Sequence, residues 1–576
     1  MRPRHLLYLI LAITSLAESR SEPTTKNDLI PLRLKEMPRP DRLPKPSQAK
    51  PASTDLPLEN KLPTSEANLS WPGERFSNHA LTQLQLLANP QTEQEVTPLL
   101  ADHFRSSKLE TAPPLEMKST FYTASGGEAV PTNPQSLFAQ IKQLGKLKFK
   151  VTGLEKRSTR LHVEANREGA EYSATWLCLW TAETPPKLRS LEVKKFKTVF
   201  APSPWFLDVT KSVLAKNPRF EAQILKGLDH WSQRITRIGD LAMTGHHGIA
   251  TGDVNGDGLE DIYVCEGGSL PNQLYLQQAD GSAKEVAANW GVAWLEDSRS
   301  ALLVDLDNDG DQDLVVSTIA MIAFAENNGA GKFELRGGFP GAPYPFSLSA
   351  ADFDNDGDLD IYTCVYSSGD DSLSGKRGFE ANSPVPFNDA ENGGRNILLS
   401  NLGKFQFGDV TQQVGLDQNN TRWSFAAAWE DIDRDGDPDL YVANDFGRNC
   451  LYRNDKGRFT NIAATAGVED MAAGMSVSWG DFNRDGAADL HVGNMFSSAG
   501  QRVAFQRNFG EGKKGMARGN SLFAGKGNSF TDLSEESGTT IGGWAWSSAL
   551  VDLDNDGWQD LVTTNGYLSN TRDDDL

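Results

Sequence analysis

The chain has 576 residues, 38% of them apolar, and its 52 Gly and 29 Pro mark a turn-rich globular protein, neither membrane-embedded nor wholly disordered. Fifty-six basic side chains stand against 77 acidic ones, a net charge of −21. This argues against nucleic acid and anionic lipid as partners, because phosphate contacts need the opposite sign, and it fits a protein that binds several cations.

Residues 1–20 read as an export signal. Arg2, Arg4 and His5 precede an apolar run from Leu6 to Ala17, and Ser15-Leu16-Ala17 offers small residues at a cleavage position. The alternative is a membrane anchor, but the run falls short of the roughly twenty residues a spanning helix needs. No later stretch is long and apolar enough, so no membrane span is expected in the mature chain. The protein is expected to be secreted, extracellular or at the cell surface, where calcium is abundant and weak sites fill.

Residues 21–75 are rich in proline, from Pro23 to Pro72, and poor in aromatics. Such a stretch buries too little apolar surface to offset its ordering entropy and is expected to be an extended, disordered linker. Residues 76–200 read as a small α+β domain. His79–Leu87, Glu93–Phe104 and Pro134–Leu144 have helical spacing, and strands are expected at Leu147–Thr152, Arg160–Ala165, Tyr172–Trp180 and Leu188–Val199. Helices followed by a meander of long strands loosely resemble the cone-shaped nuclear-transport-factor-like fold.

Residues 205–576 repeat themselves. Acidic loops begin at Asp253, Asp305, Asp352, Asp431, Asp481 and Asp552, at intervals of 52, 47, 79, 50 and 71 residues. Insertions at about 367–394 and 497–519 explain the two long intervals. One repeat parses from Trp423 to Gly467 as four short strands: Ser424–Trp429 entering the loop, Leu440–Ala443 leaving it, then Asn449–Arg453 and Arg458–Ala463. Four strands in about 50 residues make one blade of a β-propeller. The closing phrase recurs at Lys284–Val292, Phe407–Leu416 and Phe530–Gly538, and also at Trp205–Val213, ahead of the first loop. That placement predicts that the N-terminal segment gives a strand to the last blade and closes the ring.

Each loop fits D-x-[DN]-x-D-G-x-x-D. Calcium takes six to eight hard oxygens in loose geometry. Positions 1, 3, 5 and 9 offer side-chain oxygens, position 7 a carbonyl, and Gly at position 6 permits the bend. The metal ligands predicted by this spacing are Asp253, Asn255, Asp257 and Asp261; Asp305, Asp307, Asp309 and Asp313; and Asp352, Asp354, Asp356 and Asp360. The later loops offer Asp431, Asp433, Asp435 and Asp439; Asp481, Asn483, Asp485 and Asp489; and Asp552, Asp554, Asp556 and Asp560. About six Ca2+ sites are expected. The extra acid at position 7 of three loops is expected to face solvent. An EF-hand would close with Glu at position 12 between helices; here closure is at position 9 between strands, which excludes it. Acidic turns without metal would leave crowded carboxylates repelling one another.

These loops with their strands resemble FG-GAP, or VCBS, repeats, the blades of integrin α-subunit propellers. Phrases such as Asn444-Asp445-Phe446-Gly447-Arg448-Asn449, Gly474-Met475-Ser476-Val477-Ser478-Trp479 and Asn494-Met495-Phe496-Ser497-Ser498 are similar to bacterial secreted cartilage-acidic-protein-like proteins. The resemblance covers roughly residues 240–570. It implies a mainly β fold, a calcium-binding propeller of seven blades, with six the alternative given six loops, and extracellular adhesion or binding. The ASPIC/UnbV module that often follows the propeller in that family is not expected in a chain whose sixth loop lies so near Leu576.

Cys178, Cys265, Cys364 and Cys450 are not spaced as metal pairs. Cys265 and Cys364 occupy equivalent places in two repeats, which favours buried free thiols over a disulfide. His246-His247 precedes the first loop, but neighbours on a strand point to opposite faces, so a catalytic or metal pair is disfavoured. Trp423, Trp429, Trp479, Trp544 and Trp546 are read as packing between blades rather than as a sugar platform. No nucleophile elbow, phosphate loop or zinc helix motif occurs, and no catalytic residue is assigned. The expected role is a non-enzymatic binding or adhesion protein whose partner is an extracellular protein or polysaccharide, with the insertions as recognition loops. The rival is a carbohydrate-active enzyme such as a polysaccharide lyase, which would need Arg395, Arg422, Arg448 or Arg502 beside an open calcium.

Overall fold

The structure, a computed structural model, describes residues 72–109, 120–124, 128–167, 170–200, 206–226, 248–342, 345–367, 389–497 and 517–565, with single positions or pairs between them. It is mainly β: of the described residues 43% are strand and 14% helix. The export signal, nearly all of the linker, Trp205, His246-His247, Arg502 and most of both insertions lie outside the described residues. The chain divides into two compact units between Phe206 and Leu207.

The first unit opens with α1 (Pro72–Leu87) and α2 (Glu93–Val96), followed by β1 (Leu100–Ser106), β2 (Thr120–Ala124), β3 (Val130–Pro131) and α3 (Pro134–Leu144). Four long strands complete it: β4 (Lys146–Glu155), β5 (Ser158–Arg167), β6 (Ala170–Trp180) and β7 (Leu188–Phe200). They form one sheet in the order β3-β1-β7-β6-β5-β4, with β2 also on β7. Tyr172, Ala174, Trp176, Cys178 and Trp180 alternate into the core, where Leu84 of α1 and Leu137 and Ile141 of α3 meet them. The helix expected over 93–104 stops at Val96. Pro98 supplies no amide donor, a 3-10 turn at Thr97–Leu99 follows, and the chain leaves as β1.

The second unit begins with α4 (Thr210–Leu214), and five four-stranded antiparallel sheets follow. The first is β8 (Ile249–Gly252), β9 (Asp261–Val264), β10 (Gln273–Gln277) and β11 (Ala283–Glu285), followed by α5 (Ala287–Trp290). The second is β12 (Ser298–Val304), β13 (Asp313–Thr318), β14 (Ile322–Asn327) and β15 (Phe333–Phe339). The third is β16 (Pro345–Ala351), β17 (Asp360–Val365), β18 (Ile397–Asn401) and β19 (Phe407–Asp409), followed by α6 (Thr411–Val414). The fourth is β20 (Ser424–Glu430), β21 (Asp439–Asn444), β22 (Cys450–Asn454) and β23 (Phe459–Asn461), followed by α7 (Ala463–Ala466). The fifth is β24 (Gly474–Gly480), β25 (Asp489–Asn494), β26 (Ser521–Lys526) and β27 (Ser529–Asp532), followed by α8 (Ser534–Ser537). A sixth sheet holds β28 (Ala545–Val551) and β29 (Asp560–Asn565).

Within each complete sheet the strands pair in sequence order, and the first strands of successive sheets touch: β8 with β12, then β16, β20, β24 and β28 in turn. Apolar cores fill the spaces between neighbouring sheets. In β17, Ile361 and Val365 face the second sheet while Tyr362 and Cys364 face the fourth, which is why all six of its residues are buried. The four cysteines are buried free thiols. Trp429 and Trp479 pack against Phe459 and Phe530 of their own sheets and edge-on against Tyr362 and Tyr441 of the preceding sheets, as inter-sheet filling.

The segment expected to give a strand to the last sheet forms none at 206–209 and continues as α4, which packs against β11. Its local construction nonetheless matches the repeats. Asp208 accepts the amide of Thr210, as Asp409 accepts that of Thr411 and Asp532 that of Ser534. α7, which closes the fourth sheet, touches β27 of the fifth; α4 touches β11 of the first in the same way.

Candidate metal centres

Each acidic loop joins the first two strands of its sheet. Asp at position 1 accepts the amide of the position-6 glycine, Asp305 Oδ2 from Gly310 at 2.9 Å and Asp431 Oδ2 from Gly436 at 2.9 Å. The bend demands left-handed backbone at position 6, where φ runs from 83° at Gly258 to 96° at Gly310. A side chain there would be strained, so glycine recurs. Position 5 accepts the position-7 amide, as Asp309 does from Asp311 at 2.9 Å.

Position 9 opens the second strand, and both of its oxygens are used by backbone. Asp313 Oδ2 accepts Leu306 N at 2.9 Å and Oδ1 accepts Asn327 N at 2.8 Å; Asp439 does the same with Ile432 and Asn454. Asp261, Asp313, Asp360, Asp439 and Asp489 are buried, whereas Asp560, with no third strand beside it among the described residues, is exposed. Burial pushes the carboxyl of Asp261 up to about 6 and those of Asp313, Asp360 and Asp439 up to about 7. Asp307 and Asp354 are raised by burial and then by the neighbouring Asp309 and Asp356.

Carboxylate oxygens converge within 4.8 Å in four loops: Asp305, Asp307 and Asp313; Asp352, Asp354 and Asp356; Asp431, Asp433 and Asp439; and Asp552, Asp554 and Asp560. The first and fifth loops carry Asn at position 3, and Asn255 and Asn483 turn their amide oxygens to the amides of Asp257 and Asp485. In the second and fourth loops Asp305 Oδ1, Asp307 Oδ1 and Asp433 Oδ1 are buried with no hydrogen-bond donor. Unscreened, buried carboxylate oxygens at such spacing are a donor set for a hard divalent cation.

Two features went unread in the sequence. Asn ends the third strand of three sheets and reaches back to the preceding loop: Asn327 Nδ2 donates to Val254 O at 2.9 Å, Asn401 to Leu306 O at 2.9 Å and Asn454 to Phe353 O at 2.8 Å. Its recurrence before a turn glycine was the available signal. The acid at position 7 does not simply face solvent, as expected. Asp358 Oδ1 accepts Asn308 Nδ2 at 2.8 Å and Asp437 Oδ1 accepts Asn355 Nδ2 at 2.9 Å, each bond joining one loop to the next.

Of the arginines a catalytic cluster would need, the three among the described residues are held by carboxylates: Arg395 by Asp409 and Asp417, Arg422 by Asp389 and Glu391, Arg448 by Asp389 and Glu469. Arg422 precedes β20 and the loop follows it, so roughly 20 Å of strand separates them.

The FG-GAP-like repeat pattern matches residues 253–316, 305–363, 431–492 and 512–563. Cartilage acidic protein 1 of Xenopus tropicalis is 28% identical over 151 residues, 24% of this chain and 23% of that protein, so the match spans under a quarter of the relative. Among solved structures, an Agrocybe aegerita lectin described as recognising non-reducing terminal N-acetylglucosamine aligns at TM-score 0.32 and 14% identity, covering 73% of this chain and 85% of that one. A Lactobacillus plantarum protein aligns at 0.29 and 12%, covering 67% and 94%. The chain therefore carries FG-GAP-like repeats, four matches laid on its acidic loops and their strands.

Proposed function

We propose that the sheets are the blades of a calcium-stabilised β-propeller and that the protein is an extracellular binding or adhesion protein. The convergence of equivalent residues carries the ring. Phe346, Phe425, Met475 and Trp546 hold the second position of the first strand in the third to sixth sheets, and they meet in one cluster. Strands that bring the same position to one point surround a common axis. The position of α4 supports closure: it stands to the first sheet as α7 stands to the fifth, where the end of a preceding blade belongs. Among the described residues the sixth sheet has two strands and is the one without such an end. Six blades account for both observations better than seven.

The loops would hold calcium through positions 1, 3, 5 and 9, which supplies no chemistry beyond neutralising the carboxylates and fixing the bend. Equilibrium dialysis of the purified chain against calcium should find about six ions per chain; one or none would end the metal reading. Incubation with acidic polysaccharides should release no unsaturated product, and robust cleavage would replace the binding role with the lyase.

A further inference from the structure

Position 4 of every loop has left-handed backbone, φ between 58° and 69°, and it lies between the expected ligands at positions 3 and 5. From there the side chain projects toward the next loop. Asn308 Nδ2 donates to Gly357 O at 3.2 Å and to Asp358 Oδ1 at 2.8 Å. Asn355 Nδ2 repeats this on Gly436 O at 3.2 Å and Asp437 Oδ1 at 2.9 Å. In both cases the bond grips the peptide between positions 6 and 7, next to the position-7 carbonyl expected to face an ion.

The residues at positions 4 and 7 match across the repeats. Asn308 and Asn355, at position 4, are each followed by a loop with Asp at position 7. Where it is Arg434, the next loop has Ala487 at position 7, and where it is Arg484, the guanidinium lies 4.9 Å from the ring centre of Trp558. The first loop has Gly256, which has no side chain to offer Asp311.

We infer that Asn308 and Asn355 couple the second, third and fourth loops, so that these three fill with calcium as one cooperative row while the first loop fills independently. This rests on the calcium reading above. An ion drawing Asp307 and Asp309 together fixes Asn308 between them, and Asn308 then holds the 6–7 turn of the third loop in its binding form. The third loop therefore has less disorder to lose when its own ion arrives, and Asn355 hands the effect to the fourth. Linkage makes the coupling reciprocal.

The test is a calcium titration of the full-length chain against a chromophoric chelator. In the wild type, three of the ions should bind cooperatively. The double variant Asn308→Ala/Asn355→Ala should bind the same number of ions without that cooperativity and with affinity for the row weakened about fivefold or more, as for ordinary coupling between sites. Asn555→Ala, at position 4 of the last loop, should change neither. Gly256→Asn provides a gain: its φ of 69° suits Asn and an added Cβ meets nothing within 4 Å, so the new amide should reach Gly310 and Asp311 and bring a fourth ion into the row. Unchanged cooperativity in the double variant overturns the coupling; should that variant fail to fold, an unchanged Gly256→Asn titration overturns it. A wild type that binds no calcium refutes the metal reading instead.

Discussion

Phe425 of the fourth sheet and Trp546 of the sixth lie 5.7 Å apart, centre to centre, although the first strand of the fifth sheet separates them in the sheet order. Phe346 of the third sheet completes the contact at 4.5 Å from Phe425, and the Arg299 guanidinium of the second lies 5.5 Å from the Phe346 ring centre. Contacts between side chains of sheets two places apart are what the proposed ring, with its strands around a narrow centre, requires. Phe425→Ala should therefore cost about 3–4 kcal/mol, the range for a buried aromatic. Trp546→Ala, less buried, should cost less, and the double variant less than the sum, because each vacates the other's contact. Additive losses in urea melts would mean the rings do not share a centre.

Asn454 is buried and ties two sheets through three bonds: Nδ2 to Phe353 O at 2.8 Å and Pro438 O at 3.1 Å, and Oδ1 from Gly457 N at 2.8 Å. Asn454→Ala strands buried backbone groups and should cost on the order of 2–3 kcal/mol. Asn454→Asp keeps the acceptor but turns a carboxylate against two carbonyls, and it should be worse than Ala. If Asp proves the milder change in denaturant melts, the assigned donor is wrong.

What the sequence made legible was local. A nine-residue loop with Gly310, Asp305 and Asp313 states its own bend and its own strand flanks, and alternation in Tyr172–Trp180 states which side is buried. What it hid was long-range or overridden. Asn308 and Asp358 are 50 residues apart, so the solvent-facing reading of position 7 had no way to see the partner. The periodicity of Glu93–Phe104 was helical, yet Pro98 and the sheet edge offered by β7 took its second half. Trp205–Val213 shared a phrase with true strands, but among the described residues no neighbouring strand pairs with it, and only its Asx turn and helix form.

Removing calcium should lower the melting temperature markedly, since a ligand bound only by the native state stabilises it by mass action. Magnesium should not restore it, because it demands tighter octahedral geometry than these loops offer. The pH dependence has a definite sign. Carboxyls raised to about 7 at Asp313, Asp360 and Asp439 bind protons more tightly folded than unfolded. Their contribution in chelator is fully present below the ordinary carboxylate range and is lost as pH rises through about 7. The metal-free protein should therefore melt higher at pH 6.5 than at pH 8, and calcium should raise the melting temperature more at pH 8, where no proton competes. A larger calcium shift at the lower pH would contradict the assignment of these groups.

His491 sets the opposite limit at acid pH in the calcium-loaded protein. It is fully buried in β25, its Nδ1 lies 3.0 Å from Ser548 Oγ, and its Nε2 is buried without a partner. Desolvation pushes the imidazole down to about 4. A depressed folded value means that the neutral ring stabilises the fold above the unfolded value near 6.5. That contribution, about 3 kcal/mol for a shift of this size, is lost as pH falls from about 6.5 to 4. His491→Asn offers Ser548 a side-chain amide and removes the titration. In saturating calcium, the wild type should lose stability faster than the variant between pH 6.5 and 4.5. Parallel pH profiles would show that the ring takes up its proton as readily in the folded core as in the unfolded chain, and the acid limit would then have to come from elsewhere.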